Sequence, residues 1–304
     1  MNNPASTPSA LRSLTAILVS GADARKYLQG QLSNDVTKLS PERALLASFN
    51  SGQGRVQAIL TIIERPEGLF AILPSSLVET TVARLRRFVL RGDIVIEPCE
   101  NWTLSSLPAA ALTQSGFEAE CVAALSPGHL LRRDQRTLLR WWSHQPRYLL
   151  LAPSGVHAAR TRDHETGDAA WRRADIAAGL PTIYAETRDF YVPQMLNLDR
   201  LAGIDYDKGC YVGQEIVARA RRAQVKRRLY RFAVSGAAPA LTTPVLHEGV
   251  QVGEVIDATD NGDHSELLAV VDNAHSAATL CLDLPNNPEL TVLGLPYDTT
   301  RAQP

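Results

Sequence analysis

After residue 224 the sequence breaks into short apolar runs, at residues 224–234, 245–246, 252–256, 267–271, 279–282 and 290–293, punctuated by Gly249, Gly253, Gly262, Pro285 and Pro288. In the first of them Tyr230, Phe232 and Val234 alternate with Leu229, Arg231 and Ala233, the period of a strand with one face covered. Several short strands at this spacing must either close into a small barrel or pack as a sandwich. A boundary near Ala223 sets them apart from what precedes.

The preceding part mixes helical and strand patterns. Residues 14–19 read as a strand, and Ser20 can cap a helix over 22–32 with Ala24, Tyr27, Leu28, Gln31 and Leu32 near one face. Residues 44–49 and 55–63 are strands joined by the hairpin signal Ser51-Gly52-Gln53-Gly54, and 69–73 is a third. A helix follows Ser75 and Ser76, with Leu77, Val78, Thr81, Val82, Leu85, Phe88 and Val89 inward. Arg84, Arg86 and Arg87 form its solvated face, and a strand at 93–97 succeeds it. Further strands are expected at 102–107, 138–142 and 148–151, and helices at 109–114, 156–162 and 169–179, the last capped by Gly179 with Pro181 beyond. Without strict β-α alternation the fold class is α+β rather than a doubly wound sheet. No internal repeat is legible.

Charge and cysteine usage narrow the function. Among 304 residues, 31 basic and 32 acidic side chains give a net charge of -1, which excludes a generally polycationic nucleic-acid binder but not a local basic face. Cys99, Cys121, Cys210 and Cys281 are scattered, without C-x-x-C or metal-ligand spacing. This usage fits a reducing compartment, and the expectation is a cytoplasmic protein with no metal site. No apolar run approaches membrane-spanning length, so no membrane partner is expected.

The densest chemistry lies in Asp207-Lys208-Gly209-Cys210-Tyr211-Val212-Gly213-Gln214-Glu215-Ile216-Val217-Ala218-Arg219. Two glycines beside a thiol suggest a loop that delivers Cys210 just ahead of a helix over 212–222, in which Glu215 and Arg219 stand four apart as an ion pair. The helix dipole and the nearby Lys208 would both favour thiolate. The plainer alternative is that Cys210 is a small buried hydrophobe.

Lys208-Gly209-Cys210-Tyr211-x-Gly213-Gln214-Glu215 resembles the signature of the YgfZ-type folate-binding proteins, relatives of the glycine-cleavage T-protein that are linked to iron–sulfur cluster assembly or repair. Tyr27-Leu28-Gln29-Gly30-Gln31, Ala178-Gly179-Leu180-Pro181, Val192-Pro193-Gln194 with Asn197-Leu198, and Leu295-Pro296-Tyr297 match in the family's order. The resemblance implies two ferredoxin-like α+β lobes plus a C-terminal β-barrel around a central channel. The expected division is an N-terminal lobe at 1–98, a second lobe at 99–223 and the barrel at 224–304.

It also implies a site that binds tetrahydrofolate or a one-carbon derivative. Trp171 would lie against the folate, while the family's second pocket Trp falls at Leu14. Gln29, Gln31, Asn34 and Asp35, which on residue type alone could be an ordinary helix cap, would line the pocket with Gln194, Tyr211, Gln214 and Glu215. Cys210, assisted by Lys208, would be the reactive centre. The dense basic run of Arg219, Arg221, Arg222, Lys226, Arg227, Arg228 and Arg231 is a solvated face, an RNA footprint, or a lip for polyglutamylated folate, with Arg227 and Arg228 assigned to the folate. The implied function is support of iron–sulfur enzymes, including those that modify tRNA, with those enzymes or cluster-assembly proteins as partners. Two alternatives stand beside it. One is an aminomethyltransferase-like enzyme, against which Gln57 and Ala58 replace the acidic pair of the transferases; the other is an RNA-binding module.

Overall fold

The computed structural model describes residues 9–108, 111–112, 116–155, 164–223 and 225–299. The expected helix at 156–162 and part of that at 109–114 lie outside the described residues. The chain forms two compact units, one of Met1–Gln29, Asp35–Leu46 and Leu60–Trp171, the other of Gly30–Asn34, Ala47–Ile59 and Arg172–Pro304.

In chain order the elements are β1 (Ser9–Ala10), β2 (Leu14–Ser20), α1 (Ala24–Gln29), β3 (Leu45–Asn50), β4 (Val56–Arg65), β5 (Gly68–Pro74), α2 (Val78–Arg87), β6 (Val95–Pro98) and β7 (Trp102–Leu107). Next come α3 (Ala119–Ala123), β8 (Leu130–Arg133), β9 (Arg136–Arg140), β10 (Tyr148–Pro153), α4 (His164–Ala177) and α5 (Gln214–Ala223). The last six strands are β11 (Arg227–Ser235), β12 (Pro244–His247), β13 (Val250–Asp260), β14 (His264–Asp272), β15 (Leu280–Leu282) and β16 (Glu289–Leu293).

Two five-stranded sheets have the orders β3-β4-β5-β2-β6 and β1-β7-β10-β9-β8. Read from its other end, the second sheet repeats the first: β8, β9, β10 and β7 stand where β3, β4, β5 and β2 stand. The repeat is one of topology and left no trace in the sequence. All six residues of β3 are buried, as are most of β4 and β5, which is why these strands lack a regular polar face and carry Ser48, Asn50, Gln57 and Thr61 as buried polar exceptions in largely apolar runs.

The last six strands close as a barrel in the order β11-β14-β13-β12-β15-β16, with β16 returning to β11 through Phe232 opposite Val292. Phe232, Val234, Val245, Val255, Leu267, Ala269 and Leu282 fill it. The fold is therefore α+β with a closed C-terminal β-barrel, and closure settles the choice between barrel and sandwich that spacing left open. No helix among the described residues is long and apolar enough to cross a membrane.

Local expectations needed three corrections. The helix expected over 22–32 stops at Gln29, because residues 32 and 33 pair instead with β3: Leu32 bridges Phe49, and the Ser33 N–H donates to the Ser48 carbonyl at 3.0 Å. Phe88, assigned to the inner side of its helix, is 45% exposed, because α2 ends one residue before it. Strand β8 and helix α3 were not anticipated, since each spans only four or five residues.

Candidate functional site

The K-G-C-Y loop is built onto two other segments of the same unit. The buried Lys208 donates from Nζ to the carbonyls of Leu32 at 2.6 Å and Asn34 at 2.8 Å, with the Tyr211 ring 5.0 Å away. The Val212 N–H donates to the Gly30 carbonyl at 3.1 Å. Residues 208–212 thus run along 30–34 and bring together two stretches nearly 180 residues apart in sequence. Three atoms of the hairpin press on Gly213, where a Cβ would lie 2.5 Å from the Ser51 carbonyl oxygen and under 3 Å from Gly54 Cα and N. Its φ of +80° is the second reason that the position takes glycine.

This scaffold leaves Cys210 exposed in the loop, four residues ahead of α5. The structure therefore rejects the buried-hydrophobe alternative for this thiol. Lys208, by contrast, directs its ammonium at two main-chain carbonyls and fastens the loop down. Tyr211 is buried, which raises its phenol above the ordinary range. Gln214 opens α5 half-buried. Glu215 accepts from Arg219 at 2.8 Å in the expected i, i+4 pair, both side chains well exposed.

Buried amides without hydrogen-bond partners collect in this unit. Gln194 donates from Nε2 to the Val217 carbonyl at 2.7 Å and to the Tyr206 hydroxyl at 3.1 Å, while its Oε1 is buried and unpaired. The Leu32–Phe49 bridge sets Gln31 opposite Asn50. Gln31 Oε1, both side-chain polar atoms of the fully buried Asn50, Ser48 Oγ and Gln57 Nε2 are likewise unpaired. An unpaired buried amide costs ~1–3 kcal/mol, so a group of them marks a place where a ligand or ordered water supplies the partners. Asn34 is otherwise engaged, donating to the Ala202 carbonyl at 2.7 Å.

The other unit holds Leu14, Gln29, Asp35 and Trp171. Leu14 begins β2 opposite Pro74 and is half-buried. Gln29 donates to Asp35 at 2.9 Å and accepts from the Val36 N–H at 2.8 Å. Asp35 caps the turn at Val36–Lys38. Although burial works against its charge, the hydrogen bonds from Thr37 and Gln29 hold its carboxyl below the usual range. Gln29 and Asp35 thus cap the turn that follows α1. Trp171 is buried, with the Trp141 ring edge-on at 5.2 Å and the Arg147 guanidinium 4.6 Å over its ring. Its indole Nε1 has no hydrogen-bond partner.

The basic run does not present one cationic face. Arg228 is held by Asp199 through both terminal nitrogens at 3.0 Å and also donates to the Gln194 carbonyl and Asn197. Arg231 pairs with Glu266 at 2.6 Å, and Arg221 stacks 4.1 Å over Tyr206. Arg222 and Lys226 stay exposed and Arg227 half-exposed. Of the two arginines assigned to a polyglutamate lip, Arg228 is thus committed inside the fold.

Sequence reasoning missed the barrel's buried charge. Asp257 on β13 is fully buried beside a register shift, paired with Arg172 of α4 and accepting from the Tyr184 hydroxyl at 3.1 Å. An acid set directly between Ile256 and Ala258 in a strand-like run was the available signal. Burial pushes its carboxyl up to about 6, against the pull of Arg172. A raised acid contributes stability that is complete below its unfolded pKa near 4 and is lost as pH rises through 6. Relative to Asp257→Asn, the wild type should therefore lose about 2 kcal/mol between about pH 4 and pH 7. Urea titrations across that range would measure it, and a gap between the two proteins that does not change with pH would show an unperturbed carboxyl.

Among the described residues no group of three or more His, Cys, Asp or Glu side chains could hold a metal ion. No family model matches the chain. Among solved structures it is similar to the glycine cleavage system aminomethyltransferase T from Bartonella henselae, with a TM-score of 0.75 over 97% of this chain and 87% of that one, at 15% sequence identity. At such identity the likeness is one of architecture, and it agrees with the family resemblance of the sequence at that level. The chain has the fold of a glycine-cleavage aminomethyltransferase T.

Proposed function

We propose that this protein binds tetrahydrofolate or a one-carbon derivative and, through Cys210, supports the assembly or repair of iron–sulfur enzymes, tRNA-modifying ones among them. The observation that carries the reading is the K-G-C-Y loop, held down by Lys208 and Val212 against residues 30–34 with its thiol left outside. A segment serving only the core would have buried the cysteine and exposed the ammonium.

The donor set suits the cofactor. A pterin offers hydrogen-bond donors and acceptors on one flat ring, and the unpaired atoms of Gln31, Asn50, Gln57 and Gln194 include both kinds. Trp171 enters the proposal through the resemblance, and its buried indole N–H has no hydrogen-bond partner. Tyr211, Gln214, Glu215 and Arg227 belong to the proposal through the resemblance alone, as do Leu14, Gln29, Asn34 and Asp35. Partner enzymes, cytoplasmic location and the functional division at 98 and 223 are part of the same reading. Aminomethyl transfer is not assigned: Gln57 and Ala58 are both buried and offer no carboxylate to take a proton or steady a developing cation.

Calorimetric titration with tetrahydrofolate tests the binding half. Trp171 packs against Trp141, so Trp171→Leu and Trp171→Phe are preferred to alanine, which would open a cavity. A Trp171→Leu variant, which keeps apolar bulk but removes the ring, should lose about 1 kcal/mol of binding free energy, the usual worth of an aromatic contact, while Trp171→Phe should retain most of it. An unchanged isotherm for Trp171→Leu removes Trp171 from the site. Cys210→Ala should bind folate and melt like the wild type, yet fail to restore iron–sulfur enzyme activity in cells lacking their own copy. Full complementation by this variant would leave a folate carrier without thiol chemistry.

A further inference from the structure

The end of α2 and the loop that follows expose apolar side chains that the folate reading does not use. Leu90 is 88% exposed, Phe88 45% and Val95 49%, all within eight residues. Among the described residues, the other large apolar side chains exposed to this degree, Phe190, Val250 and Val292, are scattered through the sequence. Residues 84–95 carry Arg84, Arg86, Arg87 and Arg91 against Asp93, four positive charges and one negative, in a chain whose net charge is -1. Arg87 and Arg91 are exposed, and the Asp93 carboxylate is already engaged by the Ala22 N–H at 3.1 Å. Arginines in the last turn of α2 suit the helix dipole. That accounts for Arg84, Arg86 and Arg87, but not for Leu90 and Arg91 beyond the helix.

We propose that Phe88–Arg91 is a peripheral docking loop for an anionic lipid surface, with Phe88 and Leu90 entering the headgroup boundary and Arg87 and Arg91 meeting lipid phosphates, while Arg86 is held on the Ile96 carbonyl at 2.8 Å. Apolar residues flanked on both sides by arginines satisfy the two requirements of interfacial binding, buried apolar area and attraction to anionic headgroups. A protein partner with an acidic rim is the competing occupant. Three apolar side chains are a small core for a stable protein interface, which buries about 800 Å² per partner, whereas shallow insertion needs no more than they offer. Binding of this kind lies on the bilayer and requires no spanning helix.

The experiment is co-sedimentation of the full chain with phosphatidylcholine vesicles, with and without about 30 mol % phosphatidylserine. Binding is expected only with phosphatidylserine and should weaken as salt rises. Leu90→Asp and the pair Arg87→Glu, Arg91→Glu should each reduce it about tenfold. Leu90 is almost wholly exposed, so its replacement leaves the fold intact, and an unchanged melting curve verifies that. The proposal is overturned if the vesicles do not bind, or if binding ignores Leu90→Asp. It is equally overturned if Arg222→Glu with Lys226→Glu abolishes binding while the loop variants do not. Loss of cellular function on Leu90→Asp without any vesicle binding would assign the loop to an acidic protein instead.

Discussion

Arg228→Met is expected to cost about 3–5 kcal/mol of stability, the range for removing one partner of a buried ion pair. Arg228 and Asp199 retain only 15% and 9% of their side-chain exposure, and the pair is bidentate at 3.0 Å on both arms. Removing the guanidinium strands the Asp199 carboxylate, for which Arg200 at 3.6 Å is a poor replacement. It also takes a donor from the Gln194 carbonyl and from Asn197 Oδ1, in the loop that positions the Gln194 amide. Arg228→Lys keeps the charge but not the planar fork, so it should recover only part of the loss. Urea midpoints with unchanged m-values would measure the effect; a loss under about 1 kcal/mol would mean that the pair behaves as a solvated one. The result bears on folate as well. Weaker ligand binding by an Arg228 variant would reflect a damaged loop, so a polyglutamate lip has to be tested at Arg227.

Gly213→Ala should cost about 4 kcal/mol or prevent folding, by two mechanisms that add. At φ +80° an L-residue pays about 1–2 kcal/mol for the left-handed conformation. The new methyl would also meet the Ser51 carbonyl oxygen at 2.5 Å and Gly54 Cα at 2.8 Å, main-chain atoms that cannot swing aside as a flexible side chain could. Relief would require the hairpin to withdraw from the start of α5, with the K-G-C-Y loop following. Gly52→Ala is the control, since a Cβ there meets nothing within 4 Å and its φ is ordinary. Thermal melts of the two variants side by side decide the matter. A Gly213→Ala protein as stable as Gly52→Ala would show that hairpin and motif are not in contact.

Much of this chain was legible from local pattern because local physics fixes it. Strand β7 falls at the expected 102–107, and every short run after residue 224 became a barrel strand. In such runs the alternation of side chains and the placing of Gly and Pro already state which face is covered and where the chain turns. The hairpin at 51–54 and the Glu215–Arg219 pair followed for the same reason, their partners being four residues apart or fewer. Cys210 stood out in the sequence by the company it keeps, though only the structure shows its thiol outside.

What the tertiary structure decided is who meets whom across long separations. The Lys208 ammonium, expected to assist the thiol, also fastens the loop by bonds to carbonyls 174 and 176 residues away. Arg228 and Arg231 looked like a cationic lip, yet strand β11 carries them to Asp199 and Glu266. Asp257 is tolerable inside an apolar strand only because α4 and the loop after it bring Arg172 and Tyr184 to it. A long cationic or amide side chain has the same local signature whether it ends in water or on a buried carbonyl. Which it does depends on the surface that folding places within reach, because burying a charge or an amide is affordable only where partners stand ready. The duplicated sheet obeys the same limit: strand order follows from pairing between distant segments, to which the periodicity of each segment is blind.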